Sequence, residues 1–215
     1  MQRHYFLAVA GNIGVGKTHL TRWLGETLGW EIFYEPVIDN PYLDDFYADM
    51  RRWSFHLQVF FLSRRFEMHR KMMDNLLSCV QDRTIYEDAE IFARTLHERG
   101  AMTRVDYENY TALFGVLMRY LRKPDLIIYL KASPDVLMER IARRGRASEK
   151  SISRDYIARL NQAYDDWMLR ARAETEVLEI DTDTVPLQGE APAFTQLVKD
   201  LKARYPRQAV LDLGD

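Results

Sequence analysis

Eight consecutive residues near the start of the chain have the types and spacing of a phosphate-binding loop. They read Gly-Asn-Ile-Gly-Val-Gly-Lys-Thr and fit the pattern G-x-x-x-x-G-K-[ST]. In this pattern the glycines let successive backbone N–H groups point at one anion, the lysine reaches the β- and γ-phosphates, and the final hydroxyl holds Mg²⁺. All eight are predicted to contact a nucleoside triphosphate: Gly11, Asn12, Ile13, Gly14, Val15, Gly16, Lys17 and Thr18.

The residues on either side supply the structural context that such a loop requires. The apolar run Tyr5–Ala10 precedes it, and Leu20, Leu24 and Leu28 follow at helical spacing. In a strand–loop–helix order the positive end of the helix faces the phosphates. The alternative is a glycine-rich turn without a ligand. Two glycines at this spacing occur at about one position in 200, and the additional lysine and threonine make that alternative the weaker one.

Composition limits the classes of protein that this chain could represent. Its 215 residues suit one large domain, and 47% hydrophobic residues are too many for a disordered chain. A net charge of -2 gives no reason to expect a nucleic-acid or membrane partner. The single cysteine, Cys79, excludes an internal disulfide, and the histidines lack zinc-ligand spacing. We find no signal peptide or transmembrane run and expect a cytoplasmic location.

Strand and helix signals alternate along the rest of the chain. Apolar segments typical of strands occur at about 31–34, 79–82, 126–130 and 177–180. Helical patterns are predicted at about 52–77, 87–99, 104–121, 134–144, 153–173 and 191–204. This alternation favours βαβ units and a parallel sheet. Ligands of such sheets bind beyond the carboxyl ends of the strands, so the phosphate loop, Glu35 and Asp82-Arg83 are predicted to converge.

Five motifs, in this order, resemble the deoxynucleoside kinase family over nearly the whole chain. They are the phosphate loop, Glu35-Pro36, Trp53-Ser54-Phe55-x-x-Gln58, Asp82-Arg83-Thr84-Ile85-Tyr86-Glu87-Asp88, and Arg140-x-x-x-Arg144-Gly145-Arg146-x-x-Glu149. The ordered set is far more specific than the loop alone, which many unrelated enzymes share. The resemblance implies a P-loop NTPase-like three-layer α/β/α fold with a five-stranded parallel sheet. It also implies one domain over residues 1–215, with an arginine-rich lid at about 140–150; we expect a loosely held tail at about 206–215.

The resemblance also implies an activity. Family members use ATP with Mg²⁺ to phosphorylate the 5′-hydroxyl of a deoxynucleoside in nucleotide salvage, usually as homodimers. The segments Asn40-Pro41-Tyr42-Leu43 and Asp82–Asp88 look more like bacterial deoxyadenosine/deoxycytidine kinases than thymidine-phosphorylating members. Deoxyadenosine and deoxycytidine are therefore the favoured substrates, with deoxyguanosine as a further candidate. The helices predicted at 52–77 and 104–121 are candidates for a dimer interface.

Phosphoryl transfer to a sugar hydroxyl needs positioning, charge stabilisation and a proton acceptor. Glu35 is the candidate base; a capping or surface glutamate is the alternative. Asp82 is the candidate acidic ligand of Mg²⁺ beside Thr18. Arg83 is predicted to orient Glu35 and the 5′-oxygen, whereas a surface ion pair would contribute little at this position. Lys17 completes the predicted catalytic set.

The lid motif supplies candidate phosphate ligands. Arginine forks match phosphate oxygens, and a lid delivers them when it closes. Arg140, Arg144 and Arg146 match the family's lid arginines, whereas Arg143 does not and is assigned to the surface. A solvated helix face is the alternative for the whole segment.

Six positions are predicted to contact the deoxynucleoside besides Glu35 and Arg83: Tyr47, Gln58, Arg65, Asp88, Phe92 and Glu149. The Gln58 amide suits the edge of adenine or cytosine because it can both donate and accept. Asp88 is predicted either to complement the base or to hold Arg65 in place. By resemblance, Arg65 and Asp88 mark members that reject thymidine.

Phe92 resembles the family's stacking aromatic, with a core phenylalanine as an almost equal alternative. Tyr47 and Glu149 match positions that hold the sugar 3′-hydroxyl, and Tyr47 also disfavours ribose.

Two rival functions remain. A nucleoside monophosphate kinase of the thymidylate kinase type shares the loop, an Asp-Arg pair and an arginine lid, and a P-loop switch would bind nucleotide without phosphorylating a small molecule.

Overall fold

The computed structural model describes residues 4–34, 40–75, 77–146, 149–185 and 192–205. Five strands form one sheet: β1 Phe6–Gly11, β2 Glu31–Phe33, β3 Cys79–Asp82, β4 Leu126–Lys131 and β5 Glu176–Asp181. The strand order is β2-β3-β1-β4-β5, and each neighbouring pair is parallel. The predicted α/β fold with a five-stranded parallel sheet is confirmed.

The central strands β1, β3 and β4 are buried because both of their faces are covered. Every residue of β1 and β3 is buried, and in β4 only Lys131 is partly exposed. Near-continuous burial is typical of strands in parallel sheets. Burial raises the pKa of the Cys79 thiol on β3 to about 12, so this cysteine has the properties of a structural thiol rather than a reactive one.

Nine α-helices are found in the described parts of the chain: α1 Lys17–Leu28, α2 Leu43–Ala48, α3 Met50–Met73, α4 Ile85–Glu87, α5 Arg94–Glu98, α6 Arg104–Met118, α7 Pro134–Arg144, α8 Arg154–Ala171 and α9 Pro192–Arg204. The long helix α3 begins two residues before the predicted start and ends four residues early. It begins there because the Asp49 carboxylate accepts a hydrogen bond from the Arg52 amide and caps the helix.

The helix predicted at 87–99 is not uniform. A π-helical stretch, Asp88–Ala93, separates α4 from α5. Such stretches are rare and concentrate at functional sites. Both Asp88 and Phe92, two of the predicted site residues, lie on it.

Two hydrophobic clusters stabilise the fold. The larger one packs the sheet against side chains of α1, α7, α8 and α9. The smaller one joins α2, α3 and α6 through residues that include Phe46, Leu62 and Tyr110. None of the described helices is long and apolar enough to cross a bilayer.

Candidate active site

Strand register brings the phosphate loop and the Asp82-Arg83 pair together. Val9 of β1 is the register partner of Asp82 on β3, so both strands reach the same edge of the sheet. The Thr18 hydroxyl donates to Oδ2 of Asp82 at 2.5 Å, and the Arg83 amide donates to the Val9 carbonyl at 3.0 Å. The predicted convergence is confirmed for these two segments. Glu35, predicted to join them, lies outside the described residues.

Two glycines of the phosphate loop are required by their surroundings. Gly11 has φ 143°, and a Cβ atom there would lie 2.5 Å from the Leu130 carbonyl oxygen. Gly14 has φ 83°, and its Cβ atom would lie 2.9 Å from Cγ1 of Ile141 on α7. Only glycine fits such an approach with a positive φ. The loop then leads directly into α1, and the free N–H groups at the start of a helix suit an anion.

The side chains of the loop hold its own backbone in place. Nζ of Lys17 donates to the carbonyls of Gly11 and Asn12 at 2.9 and 3.0 Å. Nδ2 of Asn12 donates to Oδ1 of Asn161 at 2.7 Å and to the Ile157 carbonyl at 2.9 Å, both on α8. The loop is thus tied to α8, a link that the sequence pattern did not indicate.

Thr18 and Asp82 form a pair of hard oxygen donors at the loop. Mg²⁺ is commonly held by one or two carboxylates with phosphate oxygens and water completing its coordination, and this pair fits that mode. Within the described ranges, no group of three His, Cys, Asp or Glu residues could hold a metal by itself. A metal at this position would therefore depend on ligands supplied by the nucleotide.

Arg83 has an unusual backbone. Its φ of 62° makes it the only non-glycine residue with positive φ among those described, and such a conformation persists only where the surroundings hold it. Its guanidinium carbon lies 3.7 Å from the centroid of the Phe92 ring, and Nη2 lies 3.9 Å from Asp88. One face of Phe92 is therefore covered by Arg83, although Phe92 also lines the cleft.

Arg65 and Asp88 lie behind the cleft rather than on its wall. Nε of Arg65 is 2.6 Å from Oδ2 of Asp88, and both residues are fully buried. Nη1 of Arg65 also donates to the Arg83 carbonyl at 3.4 Å. Of the two roles considered for Asp88, the geometry favours holding Arg65 over contacting a base.

A cleft of about 880 Å³ runs from the phosphate loop to α2 and α3. This volume lies in the range of ligand pockets, roughly 300–1,000 Å³. Fifteen predicted site residues line it: Ile13, Gly14, Val15, Gly16, Lys17, Thr18, Tyr47, Gln58, Asp82, Arg83, Phe92, Arg140, Arg144, Arg146 and Glu149. Gly11, Asn12, Arg65 and Asp88 are not among the lining residues.

Two of the predicted lid arginines pair with Glu149, and the third, Arg140, is hydrogen-bonded to other segments of the fold. Nη2 of Arg144 lies 2.7 Å from both carboxylate oxygens of Glu149, and Nη1 of Arg146 lies 3.4 Å from Oε1. Arg140 instead donates to the hydroxyl and carbonyl of Thr182, each at 2.8 Å, and to the Val15 carbonyl at 3.4 Å. Arg140 therefore links α7 to the phosphate loop and to the residue after β5.

Sequence reasoning missed several residues at the cleft. Phe61 and Tyr156 line it, and Arg143, assigned to the surface, lies on its wall as well. Phe61 could have been found because it follows Gln58 by three positions on the same helix face. Tyr156 had no such signal, since it opens α8 after the lid and reaches the cleft only through the tertiary fold.

Comparison with known proteins shows that most of the chain matches one family model. The family model described as deoxynucleoside kinase matches residues 7–204. A deoxyadenosine/deoxycytidine kinase of Bacillus subtilis is 42% identical over 201 residues, which cover 93% of this chain and 92% of that protein. A deoxyadenosine kinase of Dictyostelium discoideum is 43% identical over 199 residues, covering 93% of this chain and 78% of that protein.

Solved structures agree with these sequence matches. The deoxyadenosine kinase of M. mycoides with the products dCMP and a flexible dCDP bound superposes with a TM-score of 0.81. Its sequence identity is 27%, and the match covers 93% of this chain and 99% of that one. The same enzyme with bound dATP gives a TM-score of 0.80 at 28% identity, covering 92% and 99% of the two chains.

Proposed function

We propose that this chain, which belongs to the deoxynucleoside kinase family, transfers the γ-phosphoryl group of ATP to the 5′-hydroxyl of deoxyadenosine or deoxycytidine. Deoxyguanosine is a further candidate acceptor. The observation that carries the proposal is one continuous cleft. It joins the phosphate loop and the Thr18–Asp82 pair at one end to Gln58, Phe61 and neighbouring uncharged side chains at the other.

Each end of the cleft supports a separate part of the reaction. Lys17 and the loop amides suit the phosphates of ATP, and Thr18 with Asp82 would hold Mg²⁺. When bound, the metal would neutralise charge on the transferring phosphoryl group. Glu35 is proposed as the base that accepts the 5′-hydroxyl proton, because it comes two residues after Phe33, which ends β2 and is the register partner of Gln81 on β3. Arg83 is proposed to orient the acceptor.

The nucleoside end has an uncharged polar side chain that suits the edge of a base. Gln58 is 3% exposed and lines the cleft, so its amide can meet a base edge. Arg65 is ion-paired with Asp88 and packs over the ring of Phe61, which lines the same cleft. Tyr47 and Glu149 are proposed to hold the sugar, and the uncovered face of Phe92 to pack against the base. Such an arrangement favours a neutral nucleoside over a monophosphate.

Arg144 and Arg146 are proposed as the lid arginines that meet the phosphates. Both line the cleft, and both are paired with Glu149. Arg140 is proposed to act beside them from its anchored position against Val15 and Thr182. Phosphate contact by Arg144 would require it to exchange its carboxylate partner for phosphate oxygens, which have matching geometry.

A second copy of the chain is the proposed partner. Helix α6 buries only Tyr110, while Val105, Leu113 and Val116 are 61%, 42% and 51% exposed. An unpaired apolar helix face marks an interaction surface. We propose a homodimer through this face and a cytoplasmic location. Light scattering should give a dimer mass, and a Leu113→Glu, Val116→Glu double variant should give a monomer.

The test of the activity is an acceptor panel. The four deoxynucleosides and deoxyadenosine monophosphate are each incubated with ATP or GTP, and monophosphate formation is followed by chromatography. Deoxyadenosine and deoxycytidine should be phosphorylated far faster than thymidine. Equal use of thymidine would overturn the base assignment, faster use of the monophosphate would favour the monophosphate kinase, and no transfer to any acceptor would favour a nucleotide-binding switch.

A further inference from the structure

Glu87 is a fully buried carboxylate directly beneath the phosphate loop. Its Oε1 accepts hydrogen bonds from the Tyr164 hydroxyl at 2.7 Å and from the Gly11 amide at 3.4 Å. Its Oε2 accepts the Thr84 amide at 2.8 Å. The three donors belong to α8, to the first residue of the phosphate loop and to the turn after β3. One side chain thus joins three segments that are far apart in sequence.

Glu87 accepts hydrogen bonds on both of its carboxylate oxygens, and all three bonds are donated to it. Burial raises the pKa of Glu87 above its usual value, although the cations Arg83 and Lys17, the Thr84 amide and the Tyr164 hydroxyl act in the opposite direction. The position of this buried carboxyl group is therefore set by the three donors around it.

Glu87 also holds a strained turn. Thr84 and Glu87 are joined in both directions: the Thr84 amide donates to the Glu87 carboxylate at 2.8 Å, and the Glu87 amide donates to the Thr84 carbonyl at 3.3 Å. Thr84 directly follows Arg83, whose φ of 62° needs support from its surroundings. The hydrogen bond that the Thr84 amide donates to Oε2 of Glu87 restrains the backbone at the residue next to Arg83.

We propose that Glu87 is a positioning residue for phosphoryl transfer, whose carboxylate fixes the phosphate loop and the turn that carries Arg83 relative to each other. This inference rests on the proposed deoxynucleoside kinase activity. Glu87 does not line the cleft and would touch neither substrate. It acts through Gly11 on one side and through Thr84 and Arg83 on the other, with Tyr164 fixing the shared oxygen.

The consequence is a specific kinetic signature. Displacing reacting groups by about 1 Å can cost about 10²-fold in rate, although the same groups still bind. Loss of the Glu87 contacts should therefore reduce kcat much more than it raises KM for either substrate. If Glu87 contributed only to stability, replacing it would lower Tm but leave kcat unchanged at temperatures well below the melting transition.

The experiment compares the wild-type protein with Glu87→Gln, using deoxyadenosine and ATP. Glutamine has the same length but one acceptor oxygen, so its NH₂ group must face either the Thr84 amide or the Gly11 and Tyr164 donors. We expect kcat to fall by at least about tenfold, with both KM values within about threefold. Tm is measured in parallel to confirm that the assay temperature lies below melting.

A second variant keeps the test decisive if Glu87→Gln does not fold. Tyr164→Phe removes only the hydroxyl donated to Oε1 and should lower kcat severalfold. The matched control is Tyr129→Phe, because the Tyr129 ring stacks on Tyr164 with centroids 5.8 Å apart while its hydroxyl donates to Asp165 instead. The control should keep the wild-type kcat.

The outcomes separate this inference from the function on which it rests. If the wild-type protein phosphorylates no deoxynucleoside, the proposed function fails. If the wild type is active and kcat of every folded variant stays within about twofold, Glu87 has no positioning role. A fall in kcat of equal size in Tyr129→Phe and Tyr164→Phe would also overturn the inference, because the effect would then follow general loss of a buried hydroxyl.

Discussion

Nε of Arg65 lies 2.6 Å from Oδ2 of Asp88, and this ion pair is closed off from solvent behind the nucleoside end of the cleft. It joins α3 to the π-helical stretch. The Arg65 guanidinium also packs over the ring of Phe61, 5.4 Å from its centroid. Since Phe61 lines the cleft, the pair supports the wall against which a base would lie.

Neutralising Asp88 should destabilise the fold strongly. In Asp88→Asn the guanidinium of Arg65 stays buried without its carboxylate, and breaking a buried pair in this way costs about 3–5 kcal/mol. Urea denaturation measures the free energy of unfolding. The control is Glu67→Gln, which removes the partner of exposed Arg64 and Lys71 on the same helix. The midpoint of the control should stay at the wild-type value, and similar midpoints for the two variants would contradict a buried, structurally important pair.

Asp82 should determine the response to magnesium. Replacing it by Asn keeps the size but removes the charge that would face the metal beside Thr18. We expect a higher Mg²⁺ concentration for half-maximal activity and a kcat lower by about tenfold or more. The measurement is a magnesium titration at fixed ATP. Thr18→Ser keeps a hydroxyl and should keep the wild-type titration; an unchanged curve for Asp82→Asn would remove Asp82 from the metal site.

Glu35 is expected to be the proton acceptor. In Glu35→Gln the side chain keeps its shape but cannot take the 5′-hydroxyl proton, so kcat should fall by about 10²–10⁴ while folding is retained. Steady-state kinetics with circular dichroism would show both. Glu31→Gln, at an exposed position at the start of β2, is the control and should have the wild-type turnover. Near-normal turnover in Glu35→Gln would dismiss this role.

Arg144 is expected to act in turnover rather than in nucleoside binding. Arg144→Ala removes a fork that suits phosphate oxygens, so kcat should fall by about 10-fold or more, while the Kd for deoxyadenosine stays near the wild-type value. Rapid-quench kinetics and calorimetry measure the two quantities. Arg154→Ala removes a surface arginine paired with Asp135 and should change neither. Equal losses of binding and turnover would mean that Arg144 contacts the nucleoside.

The features predicted from sequence are those that depend on neighbours in the chain. The phosphate loop is eight consecutive residues, and the first five residues of β4 are an unbroken apolar run, so local pattern suffices for both. The role of Glu87 could not be read in this way, because its bonds to Gly11 and Tyr164 span 76 and 77 positions. Arg140 is similar: a lid motif indicates phosphate contact, but its guanidinium is anchored to Thr182, 42 positions away.

The π-helical stretch was missed for a related reason. Its composition is that of an ordinary helix, and nothing in the order Asp88–Ala93 signals a wider turn. The sequence also could not rank the two roles considered for Asp88. That ranking depends on the depth of Arg65 in the fold, and periodicity reports only which face of a helix a residue occupies.

His69 should make stability depend on pH. It is fully buried on α3 with its ring edge against Phe6, 5.3 Å between centroids, and burial lowers its pKa from 6.5 to about 4. The folded state therefore favours the neutral imidazole more than the unfolded state does. Its contribution to stability is present above pH 6.5 and is lost as the pH falls towards 4, because the unfolded chain then binds a proton that the folded chain excludes.

Between pH 7 and pH 5 this single group should lower the free energy of unfolding by about 2 kcal/mol. Urea denaturation at the two pH values measures the change. His69→Leu removes the titrating group from this buried site. Between pH 7 and pH 5 the free energy of unfolding of this variant should therefore fall by about 2 kcal/mol less than that of the wild type. His19→Gln, which replaces an exposed histidine, should show the wild-type dependence. If His69→Leu lost stability as steeply as the wild type, the acid sensitivity would have to arise from other groups.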